Sequence, residues 1–232
     1  MRGIVIIFIC SLINPMVYSQ DYRIDDTFPI LGEWTIDHGD WIIVDDALVM
    51  DNPRDVITHI TRIVKQEGVM EYEFACSYIR GLEDKYGGFG IHICIDRPTS
   101  SRSWGMNRSF LLWITYDPEA YRREDCFFLQ VYKSKSPIKM NFLHEEKGDK
   151  YPLDPAVLSP ADFMVTKETR VPVKFRVQID TVTGKGKFYH PREEGVFFAF
   201  DLETAIEPGM YIGLRTNSVS IRVAYVRVRG VE

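Results

Sequence analysis

Short segments in which apolar and polar residues alternate recur along this chain from residue 34 to residue 229. The clearest is Val173–Asp180, where four apolar residues alternate with four polar ones. A period of two places successive side chains on opposite faces of a β-strand, so one face of this segment is buried and the other lies in water. Roughly a dozen such segments and almost no amphipathic helix predict an all-β fold, a two-sheet antiparallel β-sandwich of the jelly-roll type.

Turn-forming residues separate these segments and set their order. Asp45 and Asp46 predict a turn between two short strands, and Thr-Gly-Lys-Gly at residues 183–186 predicts a hairpin. In the last segment, residues 219–229, the apolar positions change from odd to even numbers. A β-bulge near residues 224–225 would restore one continuous buried face, so we predict a bulge there.

Two stretches interrupt the alternation. Residues 117–125 are highly charged, and we expect an excursion with one helical turn there. Residues 134–170 contain several prolines and many charges, which predicts a long irregular insertion. Such a loop is longer than compact domains usually contain, so this insertion is a candidate binding or interface element.

The first 19 residues have the parts of an export signal. Arg2 precedes a short apolar run at residues 3–13, well below the roughly 20 residues that a membrane span needs. We therefore predict a signal peptide over residues 1–19, the alternative being a buried N-terminal strand or helix. The expected product is a periplasmic or extracellular protein without a transmembrane segment, in which residues 20–232 form a single β-sandwich domain.

The net charge limits the binding partners that we expect, and the cysteine content limits the cross-links that the chain can form. The formal net charge is −5, and no basic block is present, so we expect no nucleic-acid partner. Three cysteines follow the export signal: Cys76, Cys94 and Cys126. They are either small buried apolar residues or, for Cys76 and Cys94, a bridge between two strands that we expect to be hairpin neighbours.

Five parts of the chain occur in this order: Glu-Trp-Thr at residues 33–35, residues 39–48, Gly-Gly-Phe-Gly-Ile at residues 87–91, residues 173–186, and Tyr-Ile-Gly-Leu at residues 211–214 with the closing strand. As an ordered set they resemble the concanavalin A-like lectin/glucanase superfamily. The nearest shapes within it are laminin-G-like modules and the 3-keto-disaccharide hydrolase domains of bacteria. The resemblance implies a jelly-roll sandwich, but this fold does not decide function.

The acidic motif of the glucanases of this fold, Glu-x-Asp-x-(x)-Glu, is absent. Glu71 and Glu73 alternate on one strand face, but no third acidic residue continues that face. Glu124 and Asp125 are adjacent, so they would point to opposite faces of a strand. The sequence therefore favours a protein without glucanase activity.

Aromatic residues near an arginine and a carboxylate form the candidate ligand site. Aromatic rings stack on sugars, while charged groups bind sugar hydroxyls. The alternatives are that the aromatic residues belong to the core and that the histidine is a satisfied buried imidazole. The candidate residues are Trp104, Trp113, Tyr116, Tyr132, His92, Asp96 and Arg97.

We expect no cofactor, with calcium as the one alternative, for which acidic pairs in turns are the candidate ligands. Asp25-Asp26 and Asp45-Asp46 are two such pairs. Calcium prefers carboxylate and carbonyl oxygens, although acidic residues in turns are more often simply solvated.

Three functions follow from these features. The first is an exported, non-catalytic binding module for carbohydrate or another envelope component. The second is a structural or assembly protein that binds an envelope protein, comparable in size and class to the sheath proteins of spirochaete periplasmic flagella. The third is a keto-sugar hydrolase.

Overall fold

The computed structural model describes residues 22–82, 87–121, 124–143, 172–202 and 209–231. The signal peptide predicted at residues 1–19 and most of the predicted insertion lie outside these ranges. The described ranges contain fifteen strands and no helix, and so no helix that could span a membrane. The strands are β1 (Tyr22–Asp26), β2 (Thr35–His38), β3 (Trp41–Val44), β4 (Ala47–Met50), β5 (Thr58–Ile63), β6 (Val69–Gly81), β7 (Gly88–Ile95), β8 (Ser109–Tyr121), β9 (Glu124–Ser136), β10 (Lys139–Phe142), β11 (Val173–Asp180), β12 (Lys185–Tyr189), β13 (Phe197–Asp201), β14 (Tyr211–Asn217) and β15 (Val219–Gly230).

The strands form two antiparallel sheets that enclose one core. The eight-stranded sheet has the order β13-β12-β11-β6-β15-β4-β3, and β1 also pairs with β15. The seven-stranded sheet has the order β10-β9-β8-β7-β14-β5-β2. This arrangement confirms the predicted all-β sandwich.

Phe175 links the two sheets through the core. Phe175 lies on β11. The centre of its ring is 5.3 Å from the ring centre of Phe74 on the neighbouring strand and 5.4 Å from that of Phe89 on the opposite sheet. The alternate residues of β11 are buried as the pattern predicts, and its polar residues face outward. Full burial of such a side chain contributes about 2–3 kcal/mol, so this alternation supports much of the sandwich.

Two local predictions are confirmed. The pairing of β15 with β6 shifts between Val223 and Tyr225, which places the bulge at Ala224. Asp45 and Asp46 have φ values of 45° and 54° between β3 and β4. Two successive residues with positive φ form the tight turn whose twist matches a β-hairpin.

The predictions for the two interruptions are wrong where the structure describes them. Residues 117–121 continue β8, and residues 124–125 begin β9, so no helical turn forms in these residues. Strand pairing satisfies backbone groups whatever the side chains carry, so a charged sequence remains extended. Residues 134–143 are also regular, because they end β9 and form the edge strand β10.

The expectation that the strands of Cys76 and Cys94 are hairpin neighbours is also wrong. Cys76 lies on β6 in the eight-stranded sheet and Cys94 on β7 in the seven-stranded sheet, because the chain changes sheets between them. Both are buried free thiols. They therefore contribute to the core as small apolar side chains.

Candidate functional site

Residues 96–108, which we name the cover loop, lie across the outer face of the seven-stranded sheet. On the side of β5, the carbonyl oxygen of Thr99 accepts a hydrogen bond of 2.7 Å from Nε2 of His59. On the opposite side, the amide of Gly105 donates to the carbonyl oxygen of Pro137 in the β9–β10 turn, at 2.8 Å. The cover loop thus extends from β5 to the β9–β10 hairpin.

The two ends of the cover loop are tied together by Asp96. Its Oδ1 accepts from the amide of Arg108 at 3.0 Å, and its Oδ2 pairs with Nε of Arg108, also at 3.0 Å. Asn107, with a φ of 46°, donates to the carbonyl oxygen of Arg97 at 2.8 Å. Asp96 therefore closes the loop, while the side chain of Arg97 is exposed.

Beneath the cover loop, one row of residues runs across five paired strands. The row lies on the outer face, because its neighbours in sequence point into the core. At its centre Gly90 carries no side chain, so Arg215 and Trp113 approach each other above it. In order across the sheet the row consists of His59, Arg215, Gly90, Trp113 and Gln130.

Arg215 is a buried cation between two indole rings. Its side chain is 2% exposed, and its Cζ lies 5.4 Å from the ring centre of Trp104 and 5.9 Å from that of Trp113. None of the ion pairs found in the described ranges includes Arg215. Burial lowers the pKa of Arg215 to about 9, so it remains charged at neutral pH.

His92 is a neutral, fully buried imidazole with both nitrogens engaged. Its Nε2 lies 3.2 Å from Nη1 of Arg215, and its Nδ1 lies 3.2 Å from Oγ of Ser109. Because arginine only donates, Nε2 must accept, and this assigns the proton to Nδ1. Burial, followed by the charge of Arg215, holds the pKa of His92 well below its usual range. His92 therefore has the geometry of a satisfied buried imidazole, the alternative to a ligand-binding histidine.

The aromatic residues of the candidate site divide between the two faces of the sheet. Trp104, on the cover loop, is 44% exposed, whereas Trp113 beneath it is buried. Tyr132 is half-buried on the outer face, and its hydroxyl donates to Oε1 of Gln130 at 2.7 Å. Tyr116 faces the opposite way, and its ring packs 5.2 Å from Phe127 against the core.

Trp104, Trp113, His92 and Tyr132 are therefore brought together around Arg215, whereas Tyr116 is not. Sequence reasoning missed Arg215 itself. The alternation of β14 places Arg215 on the outer face, opposite Leu214. An outward arginine normally indicates solvent, and only the fold reveals that a loop covers this one.

Three of the acidic residues considered as calcium ligands or catalysts form ion pairs. Asp25 pairs with Arg227 at 2.7 Å, and Asp26 pairs with Arg62. Glu71 forms an ion pair with Arg229 on the outer face of the eight-stranded sheet. Within the part of the chain that the structure describes, no cluster of three or more His, Cys, Asp or Glu side chains is arranged to hold a metal ion.

The chain matches no protein-family model and no curated protein sequence. Its fold, however, is similar to solved structures over most of its length. One is the carbohydrate-binding module CBM66 from Bacillus subtilis, with a TM-score of 0.53, 13% identity, and 85% of this chain and 96% of that chain covered.

Two lectin-type structures are similar to a comparable degree. The legume lectin-like domain from Entamoeba histolytica gives a TM-score of 0.57 at 14% identity, covering 90% of this chain and 98% of that one. The metal-free carbohydrate recognition domain of Emp46p also gives 0.57, at 12% identity, covering 89% and 93% respectively. At such low identity the similarity concerns the fold alone. The protein therefore has the concanavalin A-like jelly-roll fold that its sequence resembles.

Proposed function

We propose that this protein is a non-catalytic carbohydrate-binding module whose ligand stacks on Trp104. The observation that carries the proposal is that Trp104 is 44% exposed and yet held in place from below. Nη1 of Arg215 donates to the carbonyl oxygen of Trp104 at 2.6 Å, and the guanidinium lies under its ring. A fixed, exposed aromatic ring binds the apolar face of a sugar with little loss of entropy.

The remainder of the cover loop supports this role because its backbone is also held. The amide of Met106 donates to Oγ of Ser134 at 2.8 Å, and the amide of Thr99 donates to Sδ of Met106 at 3.3 Å. Together with the closure by Asp96, these bonds keep the loop conformation before ligand arrives. The names of the similar solved structures, a carbohydrate-binding module and a carbohydrate recognition domain, agree with the proposal.

A glycan array followed by calorimetry tests this function. The comparison is between the unaltered protein, Trp104→Ala and Phe197→Ala, because Phe197 is also 44% exposed but lies on β13 in the other sheet. Loss of a stacking ring should weaken binding on the order of tenfold in Trp104→Ala, with Phe197→Ala unchanged. Absence of glycan binding by the unaltered protein, or equal losses in both variants, would refute the proposal.

We also propose that the protein is exported, on the basis of its first 19 residues. The expected mature chain begins after Ser19, and N-terminal sequencing of protein from the native host checks this. Recovery of the chain from the cytoplasm with Met1 still present would contradict export.

A second candidate function is that of an assembly subunit that binds an envelope protein. Within the described ranges β2 and β3 each pair on one side only, and both expose apolar residues. Ile36 is 41% exposed and Ile42 is 47% exposed. Exposed apolar residues on strands with a free edge are typical of protein contacts. Co-purification of an envelope protein that is lost in Ile42→Lys but retained in Trp104→Ala would support this candidate; an unaccompanied monomer in the envelope fraction would exclude it.

A further inference from the structure

Cations are concentrated in two segments of the chain, one of which contains Trp104, although the chain as a whole is acidic, with a formal charge of −5. The cover loop carries Arg97, Arg102 and Arg108 against the single acid Asp96. Residues 126–143 carry three lysines and no acidic residue. Charge is therefore segregated onto these two segments.

The fold places the two basic segments side by side. Gly105 follows Trp104 directly, and its amide donates to the carbonyl oxygen of Pro137 at 2.8 Å. A Cβ at Gly105 would lie 2.1 Å from the carbonyl oxygen of Ser136, so the loop and the β9–β10 turn are in direct backbone contact. Exposed cations on these two contacting segments are Arg102 on the loop and Lys135 on the hairpin.

Arg215 adds a buried positive charge beneath the same surface. Its hydrogen bonds go to the carbonyl oxygen of Trp104 and to the neutral ring of His92, so no described carboxylate balances its charge. Two acids of this sheet and its cover loop have other partners: Asp37 accepts from Oγ1 of Thr61 at 2.7 Å, and Asp96 pairs with Arg108. A buried charge is weakly screened, so its potential reaches the adjacent surface at Trp104.

We propose that the ligand at Trp104 is an acidic carbohydrate, whose sugar residues carry carboxylate or sulfate groups. The inference rests on the proposed carbohydrate-binding function and adds the class of sugar. The sugar ring stacks on the indole, while its anionic group is paired by Arg102 and Lys135. The positive charge of Arg215 below favours this anion over a neutral substituent, and a neutral sugar gains nothing from it.

Calorimetry with matched polysaccharides tests the inference on the unaltered protein. Polygalacturonate is compared with the same polymer fully methyl-esterified, and dextran sulfate is compared with dextran. We expect each acidic polymer that binds to do so at least about tenfold more tightly than its neutral counterpart, with affinity that falls as salt rises. Preference for polygalacturonate identifies carboxylate as the anion, and preference for dextran sulfate identifies sulfate.

Exposed cations provide variants that should fold normally. Arg102→Gln and Lys135→Gln should each reduce the preference for the acidic polymer several-fold, at about the size of a single exposed ion pair. Lys185→Gln is the matched control, because Lys185 is exposed on β12 in the other sheet. The Lys185→Gln variant should prefer the acidic polymer over its neutral counterpart as strongly as the unaltered protein does.

The outcomes separate this inference from the function on which it rests. Equal affinity for the acidic and neutral forms of a polymer would overturn the acidic preference and leave carbohydrate binding intact. Absence of binding to any polysaccharide would overturn both. Binding of a single-stranded oligonucleotide as tightly as the acidic polymer would show that the surface selects polyanions in general, and would also overturn the inference.

Discussion

Arg215 fixes both the backbone and the ring of Trp104: Nη1 donates to the carbonyl oxygen of Trp104 at 2.6 Å, and Cζ lies 5.4 Å from the ring centre. Trp104 is almost half exposed, so hydrophobic burial alone does not set the position of its ring. One buried side chain thus determines where the exposed ring of the cover loop stands.

Replacing Arg215 should therefore destabilise the protein. Arg215→Ala leaves Nε2 of His92 and the carbonyl oxygen of Trp104 without a donor and removes contacts with two rings. We expect the free energy of unfolding to fall by about 2–4 kcal/mol, measured by urea denaturation. Arg80→Ala is the control, since Arg80 forms an exposed ion pair with Asp51 and should cost about 0.5 kcal/mol or less. Similar losses in both variants would argue against a structural role for Arg215.

The fold was largely predictable because its signals are local. Alternation in Val173–Asp180 reports the two faces of a strand, and the change of parity near Ala224 reports a bulge that the pairing of β15 confirms. Residues 117–121 were mispredicted because backbone pairing with β9 keeps them extended despite their charges.

The candidate site was only partly predictable because its organisation depends on long-range contacts. Alternation places Trp113 and His92 outward, and the polar loop around Trp104 suggests exposure. No local pattern reveals that Arg215 is covered, because its partners lie 111 and 123 positions away in sequence. The basic surface is similarly hidden, since the segments that carry Arg102 and Lys135 are brought into contact only by the fold, through the bond from Gly105 to Pro137.

His59 should make stability depend on pH below neutrality. Burial lowers its pKa from 6.5 to about 4 in the folded protein. Between these values the unfolded chain binds a proton that the folded protein does not, so stability is full above pH 6.5 and falls as pH decreases. The loss near pH 4 is about 3 kcal/mol for this residue.

Urea denaturation between pH 7 and pH 4.5 measures this effect by comparison with His59→Gln. The glutamine amide retains a donor for the carbonyl oxygen of Thr99, which His59 contacts through Nε2. We expect the unfolding free energy of the variant to decline less steeply as pH falls. The slopes of the variant and the unaltered protein should differ by up to about 1.4 kcal/mol per pH unit. Parallel profiles would mean that His59 does not contribute to the pH dependence.

Gln66 should be essential to the join between the two sheets. Its Oε1 accepts from the hydroxyl of Tyr72 at 2.9 Å and from the amide of Cys94 at 2.8 Å, while Nε2 donates to the carbonyl oxygen of Tyr211 at 2.9 Å. Gln66→Leu leaves these buried groups unpaired, so we expect a loss of about 3–5 kcal/mol in unfolding free energy. Gln178→Leu removes one surface hydrogen bond from Tyr189 and should cost about 1 kcal/mol or less.

The free thiols should be unreactive in the folded protein. Burial raises the pKa of Cys94 to about 11 and holds that of Cys76 well above its usual range. Since the thiolate is the reactive form, alkylation at pH 8 should spare both residues until urea is added. Peptide mass spectrometry assigns the modification to each cysteine. Rapid labelling of either residue without urea would show that the core opens there.

Gly90 should tolerate no side chain, because β8 lies directly against it. A Cβ at this position would lie 2.1 Å from the carbonyl oxygen of Leu112, and a paired backbone cannot move away cheaply. We expect Gly90→Ala to cost about 2–4 kcal/mol and to weaken glycan binding, because displacing β8 moves Trp113 away from Arg215. Gly68→Ala is the control: its Cβ meets nothing within 4 Å, although its φ of 77° should still cost about 1 kcal/mol. If the Gly90→Ala protein were as stable as the Gly68→Ala protein, β8 would not lie as close to Gly90 as the structure places it.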